Sequence, residues 1–198
     1  MKYRATFQAD TFYHVFNHAV GNENLFRNDD NFRYFLKKYA TYMPPVWDTY
    51  AYCLMPNHFH FLVKVKSIEA LEAMPNFSLD AHKLVMQQLS NLLIGYSKAY
   101  NLKYKRRGAL FLDFTKRIAV QSDTYFATLV NYIHQNPVHH GFCNKIADWY
   151  YSSYPAFLSV KESSVKREEV LTWFGSTAEF QKFHRENAAF LEVDLEFN

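Results

Sequence analysis

Two strand-like runs separated by only two residues constrain the fold of this chain more than any other feature. Val46 to Met55 and His58 to Val65 are rich in β-branched and aromatic residues, and Pro56-Asn57 alone lies between them. So short a connection joins antiparallel strands, because a parallel pair needs a crossover of a dozen or more residues. A β-hairpin is therefore expected here, although Pro-Asn is not the favoured turn pair.

The rest of the chain supplies partners for that hairpin. Thr11 to His18 is rich in aromatic and β-branched residues and reads as a first strand, followed by a loop at Gly21-Asn22-Glu23-Asn24. Asp29 and Asp30 can cap a helix reaching about Tyr42, with Phe32, Phe35, Leu36 and Tyr39 at helical spacing, and Pro44-Pro45 stops it. Ser67 to Phe77 reads as a loop or short helix. Ser78 or Asp80 then caps a long helix to about Asn101, with an amphipathic face through Leu84, Gln88, Leu89, Leu92, Leu93 and Tyr96. A fourth strand is expected from about Ala109 to Val120. A helix from Thr124 to Asn136 follows, capped by Ser122 or Asp123 and ended by Pro137.

The resulting order, β-α-β-β-α-β-α, is a split β-α-β pattern. It predicts an α+β fold in which a four-stranded antiparallel sheet carries packed helices. After Trp149 the character changes. Lys161 to Glu169 is charged, and two short helices, Glu169 to Phe174 and Thr177 to Glu186, are broken at Gly175. The expected division is a main domain over residues 1–155 and a small helical C-terminal extension over 156–198.

Composition narrows the class. With 49% hydrophobic and 21% charged residues, the 198-residue chain can bury a sizeable core and is not a disordered one. It has no apolar run of about 18 residues, so no membrane span is expected, and its start lacks the apolar core of a signal peptide. Of the two cysteines, Cys53 sits in an apolar strand-like run and reads as a buried thiol. A cytoplasmic location follows as the default. The net charge of +3 permits a nucleic-acid partner without requiring one. Charge distribution says more, because Lys103, Lys105, Arg106 and Arg107 cluster and Lys116 and Arg117 follow closely.

Two patterns carry chemistry. His58 and His60 flank Phe59 on a strand, so both imidazoles share one face and Phe59 enters the other. From spacing alone, such a pair suits either one divalent ion or two ordinary hydrogen-bonded histidines. Tyr132 and Asn136 lie four apart on a helix and share a face, while Ile133 points towards the core. The carboxamide oxygen could complete a metal site and the phenol could attack a phosphate beside it. Equally, the chain has 15 tyrosines, and Asn before Pro is a common helix ending.

Together these residues resemble a family. Tyr52-Cys53-Leu54-Met55-Pro56-Asn57-His58-Phe59-His60-Phe61-Leu62 resembles the His-hydrophobic-His (HUH) signature of single-tyrosine transposases. The best match is their REP-associated branch, relatives of the smallest bacterial insertion-sequence transposases. Tyr132 to Val138 is similar to that family's nucleophile helix, Arg106 to Phe111 to the segment before its last strand, and Trp149, Ser152, Ser153 and Tyr154 to its downstream element. The resemblance spans roughly residues 10 to 155, in order. Departures are a longer Ser67–Asp80 segment, His139-His140 after Asn-Pro-Val, and the C-terminal helices.

The resemblance implies a ferredoxin-like or RRM-like sheet and a DNA-nicking and DNA-joining enzyme. His58, His60 and Asn136 would ligate one Mg²⁺ or Mn²⁺, and Tyr132 would form a 5′-phosphotyrosine link. The substrate would be single-stranded DNA beside a hairpin, handled by a homodimer. Lys105, Arg106, Arg107, Lys116 and Arg117 are the expected phosphate contacts, with a plain solvated surface as the bland alternative. Two rivals share these residues: a domesticated, non-catalytic single-stranded nucleic-acid binder on the same fold, and a hydrolase in which water attacks.

Overall fold

The computed structural model describes residues 3–75 and 80–188. Four strands, β1 (Phe12–His18), β2 (Trp47–Met55), β3 (His58–Val65) and β4 (Lys116–Ala119), form one sheet in the spatial order β2-β3-β1-β4. Every neighbouring pair is antiparallel. Among the described residues, seven α-helices accompany them: α1 (Asp29–Tyr42), α2 (Ile68–Glu72), α3 (Ala81–Lys103), α4 (Asp123–His139), α5 (Tyr154–Phe157), α6 (Arg167–Phe174) and α7 (Thr177–Glu186). This is the split β-α-β arrangement that the sequence predicts, with a ferredoxin-like strand order.

The hairpin forms despite its unfavoured turn. Met55 pairs with His58 across the two-residue connection. Neither Pro56 nor Asn57 is among the residues with positive φ, so the turn lacks the left-handed residues of the favoured hairpins. It is held from outside instead. The Ala19 N–H donates to the Asn57 carbonyl at 2.7 Å, and the Phe26 N–H to the Pro56 carbonyl at 2.9 Å.

The sheet separates two cores. Tyr13 and Val15 of β1 and Phe59, Phe61, Val63 and Val65 of β3 meet Phe32, Phe35 and Tyr39 of α1 and Leu84, Leu89, Leu92 and Tyr96 of α3. On the opposite face, Ala51, Cys53 and Met55 of β2 and Leu62 of β3 meet Phe126, Leu129, Val130 and Ile133 of α4. The period-two alternation of a strand thus places Phe59 in the first core and turns His58 and His60 towards α4.

Details depart from expectation for local reasons. Asn28, not Asp29 or Asp30, caps α1 by accepting from the Asn31 N–H, leaving the two aspartates in the first turn where the helix dipole favours them. Asp80 caps α3, and Ser78 lies outside the described residues. β4 is shorter than predicted because the chain before it makes a loop, touching β1 through the Leu112 N–H to His18 carbonyl bond of 2.9 Å. Pro137 sits inside α4 rather than ending it. Its ring costs one N–H only in the last turn, and the His140 N–H still reaches the Asn136 carbonyl at 3.0 Å.

The C-terminal helices pack into the second core. Val165 and Val170 and Phe180 of α7 join the cluster around α4, together with Tyr154 and Phe157 of α5. A hydrogen-bond chain ties these layers, and its directions follow from the groups at its ends. The Phe180 carbonyl only accepts, so His184 Nδ1–H donates to it at 2.8 Å and His184 Nε2 accepts. His134 Nδ1–H therefore donates to His184 Nε2 at 2.9 Å, and Ser153 Oγ–H donates to His134 Nε2 at 2.8 Å. Ser153 Oγ accepts from the Tyr52 N–H at 2.9 Å. The helix bearing Tyr132 is thus fixed to β2 on one side and α7 on the other. Among the described residues, no helix is long and apolar enough to cross a membrane.

Candidate functional site

The α4-facing side of the sheet carries a cluster of imidazoles. Register brings His58 of β3 opposite His18 of β1 and places His14, opposite Leu62, two positions beyond the Phe16–His60 pair on the same face. His14, His58 and His60 are all buried. His14 Nε2 lies 2.9 Å from His60 Nδ1. The His18 ring stacks beside His58 at 5.5 Å, and His140, at the C-terminal cap of α4, approaches His58 at 4.8 Å.

α4 lays its predicted face over this cluster. The partly buried Tyr132 ring stands 5.4 Å from His60 and 6.0 Å from His14, edge to face with both. Asn136, one turn on, is buried and donates through Nδ2 to the Tyr132 carbonyl at 2.9 Å. Its carboxamide also interacts with the Tyr132 hydroxyl, favouring the phenolate, and with His58, favouring the imidazolium. Ile133 is fully buried in the core, as the helical spacing requires. The structure therefore gathers His58, His60, Tyr132 and Asn136 into one site.

Burial governs the electrostatics. Desolvation pushes His58 down to about 3, helped by the nearby His140 and His18 and opposed by Asn136. His14 is also pushed down to about 3 by burial, and His60 well below its ordinary value by burial and then by the surrounding histidines. The rings are therefore neutral near pH 7, the form in which an imidazole nitrogen can hold a metal. Tyr132 is shifted up by burial, with Asn136 opposing.

These shifts predict a pH dependence of stability. A folded-state pKa below the unfolded value of about 6.5 means that the unfolded chain binds more protons in acid. Stability is complete above about pH 6.5 and is lost as pH falls towards the folded values, which are about 3 for His14 and His58 and about 4 for His184. Each contributes on the order of 1.4 kcal/mol per pH unit across that window. Urea unfolding of the metal-free protein should show a midpoint falling steadily from about pH 7 to about pH 5. A flat midpoint would mean that these rings are charged or solvated in the folded state.

The donor set suits a divalent ion in part. Two neutral imidazoles and a carboxamide are nitrogen and oxygen donors, leaving positions for water or a phosphate oxygen. Each histidine is also oriented through Nδ1, His58 by Asn57 Oδ1 at 2.8 Å and His60 by His14, as metal-bound imidazoles commonly are. Among the described residues, however, no group of three or more His, Cys, Asp or Glu side chains is arranged to hold a metal. A third protein ligand here would have to be Asn136.

The basic candidates divide. Arg106 is committed to its own loop: it donates to Glu23 at 2.7 Å, Asn101 at 3.0 Å, and the Gly108 and Ala109 carbonyls at 3.1 and 2.5 Å. Arg117 is buried, donates to the Ala5 and Thr115 carbonyls and lies over the Phe7 ring. Both guanidiniums are engaged within the protein. Lys105 and Arg107 are exposed. Lys116 lies over the Tyr3 and Phe16 rings at 5.2 and 5.9 Å. Sequence reasoning missed His14, His18, Asn57 and His140, whose roles depend on cross-strand register and on where α4 ends.

Fold and site together define an α+β sheet protein in which a histidine pair on the central hairpin faces a tyrosine and an asparagine on one helix. Comparison with known proteins points the same way. The chain is 28% identical over 128 residues to a curated Haemophilus influenzae protein named as a REP-associated tyrosine transposase, a match covering 63% of this chain and 68% of that one. A solved structure of a REP-associated tyrosine transposase bound to a REP hairpin superposes with a TM-score of 0.56 and 17% identity, covering 80% of this chain and 85% of the other. No family model matches the chain. In sequence and in fold, the chain is similar to the REP-associated tyrosine transposases whose motifs its own residues resemble.

Proposed function

We propose that this protein is a DNA transposase or single-strand endonuclease that nicks and rejoins single-stranded DNA beside hairpins. The observation that carries the reading is the placement of Tyr132 against His60, with Asn136 reaching both Tyr132 and His58. Tyr132 Oη attacks the scissile phosphorus and the bond to the 3′ oxygen breaks. The phenol loses its proton and the departing oxygen gains one, leaving a 5′-phosphotyrosine and a 3′-OH. Because the phosphodiester energy is kept in the new ester, a 3′-OH can reverse the step and join strands. His58, His60 and Asn136 are the residues that would hold a Mn²⁺ or Mg²⁺. When bound, such an ion supplies charge stabilisation at the phosphate. Tyr132, fixed by the hydrogen bonds of α4, provides the orientation.

A homodimer would bring two such sites together. The work would be cytoplasmic. A second reading, a non-catalytic single-stranded nucleic-acid binder, is supported by the hairpin to which the structurally similar transposase is bound. A denaturing gel separates the two. Labelled hairpin-flanked single strands from the gene's own borders should give a covalent protein–DNA band with Mn²⁺ and none with chelator. Binding with no band under either condition would establish the binder.

The basic residues give a separate prediction. Alanine at both Lys105 and Arg107 should weaken binding to single-stranded DNA about tenfold and lower the salt slope by about 1 to 2. Alanine at Arg106 should instead lower stability, since it releases four hydrogen bonds that order the loop. An unchanged salt slope in the double variant would remove this loop from the DNA path.

A further inference from the structure

The hairpin turn carries a second hydrogen-bond chain whose directions can be assigned atom by atom. The Ala19 carbonyl can only accept, so His18 Nδ1–H donates to it at 2.7 Å. An amide nitrogen can only donate, so Asn57 Nδ2 donates to His18 Nε2 at 3.0 Å. Asn57 Oδ1 is thereby turned the other way and can only accept. His58 Nδ1 lies 2.8 Å from it and must carry the proton. In a neutral imidazole with Nδ1 protonated, the lone pair is on Nε2.

We infer that Asn57, oriented by His18, is a positioning residue that fixes His58 as its Nδ1–H tautomer and so reserves Nε2 for a metal. The role in metal binding rests on the proposed His58–His60 pair, whereas the tautomer rests on the hydrogen bonds alone. Asn57 touches neither substrate nor metal in this scheme and acts through His58. The same carboxamide explains the choice of Asn at the second position of an otherwise unfavoured turn. Its backbone carbonyl accepts from Ala19 while its side chain bridges His18 and His58.

Two measurements on the full chain test the inference. The first is a two-dimensional ¹H–¹⁵N correlation of the imidazole nitrogens in metal-free protein, which separates Nδ1–H from Nε2–H rings. His58 should be Nδ1–H in the unaltered protein and in Asn57→Asp, which keeps an acceptor facing the ring. Asn57→Ala should shift it towards Nε2–H. The second is calorimetric titration with Mn²⁺ alone. Asn57→Ala should weaken binding about 10- to 100-fold, and Asn57→Asp should restore it to within about threefold. A side chain needed only for the turn would lower thermal stability in both variants without this split. His58 found as Nε2–H in the unaltered protein, or unmoved in Asn57→Ala, would overturn the inference. So would Mn²⁺ binding that Asn57→Ala leaves unchanged. Failure of the unaltered protein to bind Mn²⁺ would overturn the metal reading and the role assigned to Asn57 within it. The nitrogen spectrum would still decide the tautomer.

Discussion

Replacing Tyr132 with Phe should abolish the covalent protein–DNA band and strand cleavage, by about 10³-fold or more, while leaving DNA binding within about twofold. The two side chains differ by one oxygen. The ring would keep its edge-to-face contacts with His60 at 5.4 Å and His14 at 6.0 Å, so the fold and the surface offered to DNA should persist. What disappears is the oxygen proposed to attack. The buried environment makes this test sharper, because it raises the Tyr132 pKa and so does not activate the phenol by acidifying it. Activation has to come from charge stabilisation at the phosphate and from orientation, neither of which can act without the hydroxyl. Cleavage that survives in Tyr132→Phe would instead identify water as the nucleophile and the protein as a hydrolase. Cleavage absent from both forms, with binding retained, would identify the non-catalytic binder.

Much of this site could be read from the sequence because it is written in short periods. His58, Phe59 and His60 separate onto two faces by strand alternation alone, and the structure buries Phe59 in one core and both histidines against α4. Tyr132 and Asn136 meet by helical periodicity. The residues that escaped are those brought in by long-range pairing. His14 and His18 are forty or more positions from the hairpin histidines, and only the β1–β3 register aligns them. The basic residues divide for a different reason. Arg106 and Lys105 are neighbours with the same charge, yet one is bound into a loop and the other is exposed. Nothing local distinguishes them, because the deciding partners, Glu23 and Asn101, come from other segments. The C-terminal extension was legible as two helices broken at Gly175, which adopts φ +85°. Its attachment to the helix bearing Tyr132 was not, since no short-range pattern links His184 to His134.

That attachment sets the second large expectation. Phe180 is fully buried and stacks on Phe157 at 4.8 Å and Tyr154 at 5.7 Å, with Phe174 edge-on at 5.1 Å. Truncating it to alanine should cost about 3–5 kcal/mol, as for other buried aromatics. For a chain of this size that corresponds to a fall in Tm of roughly 10 °C. The consequences should reach the site. The cavity lies beside His134, whose ring is 5.9 Å from Phe180 and whose hydrogen bonds to His184 and Ser153 hold α4 in place. A small change in that helix moves Tyr132 relative to His60, and orientation errors of this kind are costly to a reaction that depends on alignment. Phe180→Ala is thus expected to slow adduct formation even at temperatures where it is fully folded. Removal of everything after Leu158 should go further. It would strip α6 and α7 from the second core and leave His134 Nδ1–H without an acceptor, and dye binding should report an exposed apolar face. If Phe180→Ala shifts Tm by less than about 2 °C and leaves adduct formation unchanged, α7 is a separately folding appendage and the alignment of Tyr132 is set by the sheet and α4 alone.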